Sequence, residues 1–245
     1  MILLVDVGNT RIKWMLWDQG EVTERGSLIY QGIDRPSLAE RLWDTLARPS
    51  QVVIANVAGA EMAAALSAWI ARSWSLQAQF AYSETAAFGI KNAYAVPHRL
   101  GVDRWVAMIG ARTLTTQACC VVDCGTAITI DGLSASGIHL GGVIFPGVRL
   151  MRKALYRDTR QIPIETGQAM LFGKDTQDGV WGGTIHAVAA GIDRVSGRME
   201  AVMEGEVRRL LTGGDADDIL PFLEGEYQLE PDLIFYGLQV IAGQQ

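Results

Sequence analysis

The stretch Leu3-Leu4-Val5-Asp6-Val7-Gly8-Asn9-Thr10-Arg11-Ile12-Lys13 constrains this chain more than any other. An apolar run ends in a carboxylate, crosses a turn of small and polar residues, and returns with Ile12, Trp14 and Leu16 alternating against polar positions. That pattern predicts a strand, a tight turn and a returning strand, with the polar groups held at the turn. The same order recurs in Cys120-Val121-Val122-Asp123-Cys124-Gly125-Thr126-Ala127-Ile128-Thr129-Ile130-Asp131, with Asp123 lying 117 residues beyond Asp6. The separation is about the size of one small domain. A chance repeat of Val-Asp-X-Gly is easy to find; one followed each time by a meander, helices and further strands is harder to dismiss. The expectation is an α/β chain of two similar domains, 1–115 and 116–245, each a mixed sheet with helices, facing each other across a cleft.

The remaining elements fit that plan. Val22 to Tyr30 is predicted as a third strand, and Pro36 with Leu38, Leu42 and Leu46 as an amphipathic helix opened by proline. Residues 52–57 and 77–82 are predicted strands, 60–74 a helix, and 83–100 an exposed loop without periodicity. A helix starts near Gly101. In the second half, strands are predicted at 119–124, 127–133 and 138–145, a helix over 148–156, a strand at 207–211 and a short helix over 217–223. Thr176 to Met203 reads as a long helix broken or loosened by Gly179, Gly182 and Gly183, and Asp232 to Ala242 as a closing apolar helix.

Composition narrows the function classes. With 49% apolar and 20% charged residues the chain can bury a core. A net charge of −6 argues against a nucleic-acid groove. Asp6 interrupts the first apolar run, so no secretory leader is expected, and no run approaches the roughly 18 apolar residues of a membrane helix. Cys119, Cys120 and Cys124 lie on one predicted buried strand and form neither a disulfide framework nor a zinc site. The expected setting is the cytoplasm, without a membrane or nucleic-acid partner.

Asp6 is unusually polar for the end of an apolar strand. A carboxylate there suits Mg²⁺, directly or through water, or else caps the turn with an Asx-type hydrogen bond. Gly8 permits close approach of a ligand, Asn9 and Thr10 add donors, and Lys13 brings a cation within reach of a phosphate. Competing phosphate loops fail: between Gly167 and Gly173 lie five residues instead of four, and Asp175 follows Lys174 where Ser or Thr is required. His98, His139 and His186 lack metal-ligand spacing, and no Gly-X-Ser-X-Gly elbow is present. Gly101-Val102-Asp103-Arg104 sits where a loop becomes a helix. There Asp103 either accepts a proton from an attacking hydroxyl or caps the helix, and Arg104 either clamps an anion or pairs across the surface.

Four motifs, Asp6-X-Gly-Asn-Thr-X-X-Lys13, Gly101-X-Asp-Arg104, Asp123-X-Gly-Thr-Ala-X-Thr-X-Asp131 and Gly141-Gly-X-Ile-X-Pro-Gly147, occur in the order and at the spacing of the type III pantothenate kinases, which the chain resembles over its whole length. The resemblance implies an actin-like (ribonuclease H-like) fold and phosphorylation of pantothenate by ATP, the first step of coenzyme A synthesis. By that likeness Asp6, Gly8, Asn9, Thr10 and Lys13 bind ATP phosphates, Asp6 helps hold Mg²⁺, and Thr126 contacts the nucleotide. Asp123 resembles the ligand of a monovalent cation, K⁺ or NH4⁺. Asp103 resembles the general base, Gly101, Val102, Asp103 and Arg104 the segment gripping pantothenate, and Tyr94 and Thr176 two further contacts. The likeness also implies a homodimer in which Thr176 acts in the partner's site, and Thr212-Gly213-Gly214 resembles an adenosine-side loop. One departure stands out: the family's Lys-Asn-Thr is Lys174-Asp175-Thr176 here. A sugar kinase of the same superfamily and a protein-binding regulator are the other readings. The first commonly shows a Cys-rich zinc motif, which this chain lacks, and no helix-turn-helix signal supports direct DNA contact by the second.

Overall fold

A computed structural model describes residues 1–159 and 166–243 and divides the chain into two compact units, one of Met1–Leu114 with the closing segment from Asp232 onward, the other Thr115–Pro231.

The first unit is built on strands β1 (Ile2–Val7), β2 (Arg11–Asp18), β3 (Glu21–Ile29), β4 (Gln51–Asn56) and β5 (Gln79–Phe80), in the sheet order β3-β2-β1-β4-β5. The first three form an antiparallel meander, and β4 and β5 run parallel to β1. The period-2 pattern puts Leu3, Val5, Val7, Ile12, Trp14 and Leu16 on one face, where α1 (Arg35–Trp43) and α2 (Ala60–Trp74) cover them. Asp34 caps α1, its carboxylate accepting the Ser37 amide at 3.2 Å. Trp43, Trp69 and Trp74 stack within this core, with ring centroids 4.8–6.0 Å apart.

The opposite face of the sheet is covered by α3 (Val102–Leu114) and α7 (Leu233–Ala242), which pack on β1 and β4 and on each other. A Cβ on Gly110 would strike the Leu233 carbonyl, and one on Gly237 the Val106 carbonyl. Two glycines therefore let the helix backbones touch. This corrects the expected division at 115/116: the closing helix belongs to the first unit, because its apolar side fits α3 and the sheet there.

Residues 83–100, expected as an exposed loop, contain a short hairpin of β6 (Ala86–Ala87) and β7 (Ile90–Lys91), turned by Phe88 and Gly89 at φ of 54° and 75°. Positive φ at both central residues is the usual hairpin solution. Ile90, Asn92 and Leu100 are buried, and the Asn92 amide donates to the carbonyls of Glu84 and Pro97. This segment is tethered from within.

The second unit repeats the first. Strands β8 (Ala118–Cys124), β9 (Ala127–Leu133), β10 (His139–Pro146), β11 (Val207–Thr212) and β12 (Gln228–Leu229) take the order β10-β9-β8-β11-β12, with the same antiparallel meander and parallel additions. Helices α4 (Val148–Asp158), α5 (Thr176–Glu200) and α6 (Ala216–Ile219) accompany it, and Cys120, Val122, Cys124, Ile128 and Ile130 share a core with Val188 and Ile192 of α5.

Helix α5 is continuous over 25 residues, contrary to the expected break. Packing requires one of its glycines: a Cβ on Gly182 would collide with the Met170 carbonyl, and Gly173, outside the helix, lies with its backbone against Gly179. The segment 166–173 thus lies directly on the first turns of α5.

Candidate active site

In the first unit, Asp6 is the penultimate residue of β1 and pairs across the sheet with Lys13 on β2 and Ala55 on β4. Directly opposed residues of an antiparallel pair bring their Cβ atoms to about 4.5–5.5 Å. A carboxylate and an ammonium-bearing chain therefore rise side by side from one face. Gly8, Asn9 and Thr10 form the turn, with the Gly8 amide donating to the Arg11 carbonyl at 3.0 Å. Tyr30, at the end of β3, braces it. Its amide donates to the Thr10 carbonyl at 3.3 Å, and its hydroxyl to the Gly8 carbonyl at 2.7 Å. Sequence reasoning missed Tyr30, since only the meander's register brings it to the turn.

The second hairpin is held in the same way. The Gly125 amide donates to the Ala127 carbonyl at 3.2 Å, and Gly147, which follows β10 as Tyr30 follows β3, donates to the Thr126 carbonyl at 3.0 Å. The fourth strands match as well. Val57 donates to the carbonyl of Val7 at 3.0 Å, and Asp215 to that of Cys124 at 2.9 Å. The repeat thus extends to the hydrogen bonds that fix each turn.

The copies also differ. The second turn is one residue shorter, and Asp123 faces Thr129 where Asp6 faces Lys13. Gly213, at φ of 105°, sits so close that a Cβ would fall 2.5 Å from Asp123 Oδ1, while a Cβ on Gly147 would fall 2.5 Å from the Gly125 carbonyl oxygen. The Asp123 carboxylate and the second turn are packed between two glycine backbones, and Thr126 stays exposed at the tip. Beside this loop Arg149 grips the buried Asp215 with two guanidinium nitrogens, Nε to Oδ2 at 3.1 Å. That bond raises the Arg149 pKa.

The residues that resemble a substrate-gripping segment gather in the first unit. Asp103 is the second residue of α3, and its Oδ1 accepts the Arg104 amide at 2.8 Å. Its side chain lies across Gly101, where a Cβ would fall 2.5 Å from the same oxygen. Arg104 is 6% exposed, which excludes the surface ion pair as its role. It donates to the Tyr94 hydroxyl at 2.9 Å, with its guanidinium carbon 5.7 Å from the Tyr94 ring centre. Asn92 fixes Tyr94 in turn by accepting its amide at 2.9 Å. Tyr94, Gly101, Val102, Asp103 and Arg104 form one local cluster.

Thr176 is exposed at the first turn of α5, in the second unit. Its neighbour Asp175 caps that helix, accepting the Asp178 amide at 2.8 Å. Asn and Asp cap with nearly equal strength, so the departure from Lys-Asn-Thr leaves the helix start intact. His139, one of the three histidines without metal-ligand spacing, is buried with its Nε2 2.9 Å from the buried Asp131 carboxylate.

Two hairpin turns in repeated five-stranded units define a class, the actin-like ATPase fold. Its likeness in solved structures is clear: an activator of 2-hydroxyisocaproyl-CoA dehydratase from Clostridium difficile, with bound ADPNP, superposes at a TM-score of 0.56 with 12% identity, covering 98% of this chain and 93% of that one. A Campylobacter jejuni protein assigned to the Baf family of transcriptional activators superposes at 0.63 with 20% identity, over 98% and 96%. At these identities the likeness concerns the fold alone. The type III pantothenate kinase family model matches residues 2–198. A type III pantothenate kinase from Nitrosococcus oceani is 38% identical over 250 residues, spanning 99% of this chain and 94% of the relative. The chain belongs to the type III pantothenate kinase family.

Proposed function

We propose that the chain transfers the γ-phosphoryl group of ATP to the pantothenate hydroxyl through the cluster at the start of α3. The observation that carries this reading is the buried Arg104 locked to Tyr94 beside Asp103. An arginine held in this way presents a fixed fork to an anionic or polar substrate. Asp103 accepts the hydroxyl proton as the substrate oxygen bonds to phosphorus; the bond from phosphorus to the β-phosphate bridging oxygen breaks, and ADP leaves with that electron pair. Positioning and charge neutralisation supply most of the acceleration.

Asp6, Gly8, Asn9, Thr10 and Lys13 are proposed to hold phosphates at the first turn, and Thr126 to contact the nucleotide at the second. Among the described residues no three His, Cys, Asp or Glu side chains gather as a metal cage. A single carboxylate such as Asp6 fits Mg²⁺, which usually takes one or two carboxylates and completes its shell with water and substrate phosphates. When bound, such an ion offsets charge on the transferring group. Asp123 is proposed as the ligand of a monovalent cation: its carboxylate and the carbonyls of the second turn are oxygen donors, with the backbones of Gly147 and Gly213 close against them.

A homodimer is proposed as well, with Thr176 serving the partner's site. Edge strand β10 leaves Leu140 and Ile144 more than half exposed, and Leu171 and Phe172, just before Thr176, are 70% and 80% exposed. A long apolar edge of this kind calls for a cover, and a second copy supplies one. A cytoplasmic setting is proposed too, supported by three buried cysteines that form no disulfide.

A coupled assay of ATP turnover against pantothenate, with K⁺ present, tests the reading. Turnover that depends on pantothenate supports it; turnover only with a sugar, or none at all, overturns it.

A further inference from the structure

The second unit holds a cavity of about 940 Å³ between α4, α5 and α6, lined in part by Val148, Arg152, Trp181, Ile185, Ile219 and Phe222. Its walls join the second turn on two sides. Val148 follows Gly147, which is bonded to Thr126, and Asp215, also in the lining, is bonded to the Cys124 carbonyl. A ligand whose phosphates lie at Gly125–Thr126 has this cavity as the adjoining space within the unit.

One side of the cavity carries a preformed flat surface. The Arg152 guanidinium lies 3.6 Å from the centre of the Trp181 ring. It is fixed there by donating from Nε to Thr184 Oγ1 at 3.0 Å, and that hydroxyl donates to the Val180 carbonyl at 2.7 Å. Burial is the largest influence on Arg152 and lowers its pKa. Arginine and tryptophan planes are both surfaces on which nucleobases stack. Val148, Ile185 and Ile219 supply apolar wall, while Arg149, Lys153, Asp215 and Asp218 line other parts of the same space, a mixture of apolar walls and a few polar groups that suits a flat heteroaromatic base.

We infer that the stacked Trp181 and Arg152 side chains form the floor on which the nucleotide's purine base rests, making them specificity-determining residues of the nucleotide site. The inference rests on the kinase reading above. The segment 166–173 contributes Thr166, Gly167 and Ala169 to the cavity wall, and leads directly into Thr176.

Trp181 offers a direct test, because the other six tryptophans (14, 17, 43, 69, 74 and 105) belong to the first unit. Titrating the intact protein with ADP is expected to quench the part of the emission that Trp181→Phe removes, whereas pyrophosphate, which has no base, leaves that part unchanged. In steady-state assays, Trp181→Ala is expected to raise the KM for ATP about tenfold, in line with losing one base stack, and Arg152→Met about threefold, with the KM for pantothenate unmoved in both. Equal responses to ADP and pyrophosphate, or unchanged ATP KM values in folded variants of an active kinase, overturn the floor. Quenching specific to ADP in a protein that does not phosphorylate pantothenate keeps the floor and overturns the proposed reaction. The difference between the ADP and pyrophosphate titrations of the unmodified protein is read without any variant, so a misfolded substitution does not remove the test.

Discussion

Arg104 donates to the Tyr94 hydroxyl at 2.9 Å from a position where only 6% of its surface meets solvent. The two residues stand ten apart in sequence, Tyr94 just after the hairpin and Arg104 in the first turn of α3, with Asn92 anchoring Tyr94 from behind. Losing this acceptor gives up a hydrogen bond to a charged group, worth about 1.5–3 kcal/mol. Tyr94→Phe should therefore raise the KM for pantothenate by roughly 10- to 100-fold while leaving the KM for ATP near its starting value. Steady-state kinetics with each substrate varied in turn checks this; equal changes in both constants would count against a role confined to pantothenate.

Asp103→Asn keeps the shape of the side chain and the oxygen that accepts the Arg104 amide. The fold should survive, as judged by circular dichroism and melting temperature. Turnover should fall by about 10²- to 10⁴-fold, the usual loss when a general base is removed. Near-normal turnover in a pure sample excludes Asp103 as the base.

Gly213 and Gly205 provide a matched pair. Both have positive φ, 105° and 81°, but an added Cβ meets nothing within 4 Å at Gly205 and lies 2.5 Å from Asp123 Oδ1 at Gly213. Alanine at either site pays the left-handed backbone penalty of about 1–2 kcal/mol. Only Gly213→Ala should also alter the response of activity to replacing K⁺ with Na⁺, because only it displaces the Asp123 carboxylate. If both variants respond to the cation as the unmodified enzyme does, Asp123 is not its ligand.

The cysteines should be silent in the native state. All three are buried, and burial pushes the Cys120 thiol up to about 11, with Arg209 pulling partly the other way. Burial raises Cys124 too, with the carboxylates of Asp123 and Asp215 adding to it. Disulfide reagents react with thiolates. At pH 8, Ellman's reagent should titrate none of them until denaturant is added, after which three equivalents should appear. Rapid labelling of the folded protein would sink this expectation.

Much of the fold was legible because period-2 burial and hairpin turns are local signals. The strands around Asp6 and Asp123 follow from them, and so does the duplication. The closing helix was legible as apolar but not as to its place, because the fit of Gly110 and Gly237 is a contact between segments far apart in sequence. Gly179, Gly182 and Gly183 misled for the opposite reason. Propensity treats glycine as a helix breaker, whereas α5 runs on through all three, and at Gly182 close packing against Met170 favours the residue. At the site, motif spacing pointed to Asp103 and Arg104, but burial of Arg104, the brace from Tyr30 and the stack of Arg152 on Trp181 are three-dimensional facts without a sequence signature.

The packing of α7 against α3, β1 and β4 bears on how the protein is made. Met1–Leu114 is synthesised before Thr115–Pro231 but lacks one of the two helices on the far face of its sheet until α7 has been made, so that face stays incompletely dressed while all of Thr115–Pro231 emerges. At ordinary elongation rates that delay is on the order of ten seconds. The later-synthesised unit, contiguous in the chain, has its own elements available first, and the earlier one must wait for its last helix before it can close its core.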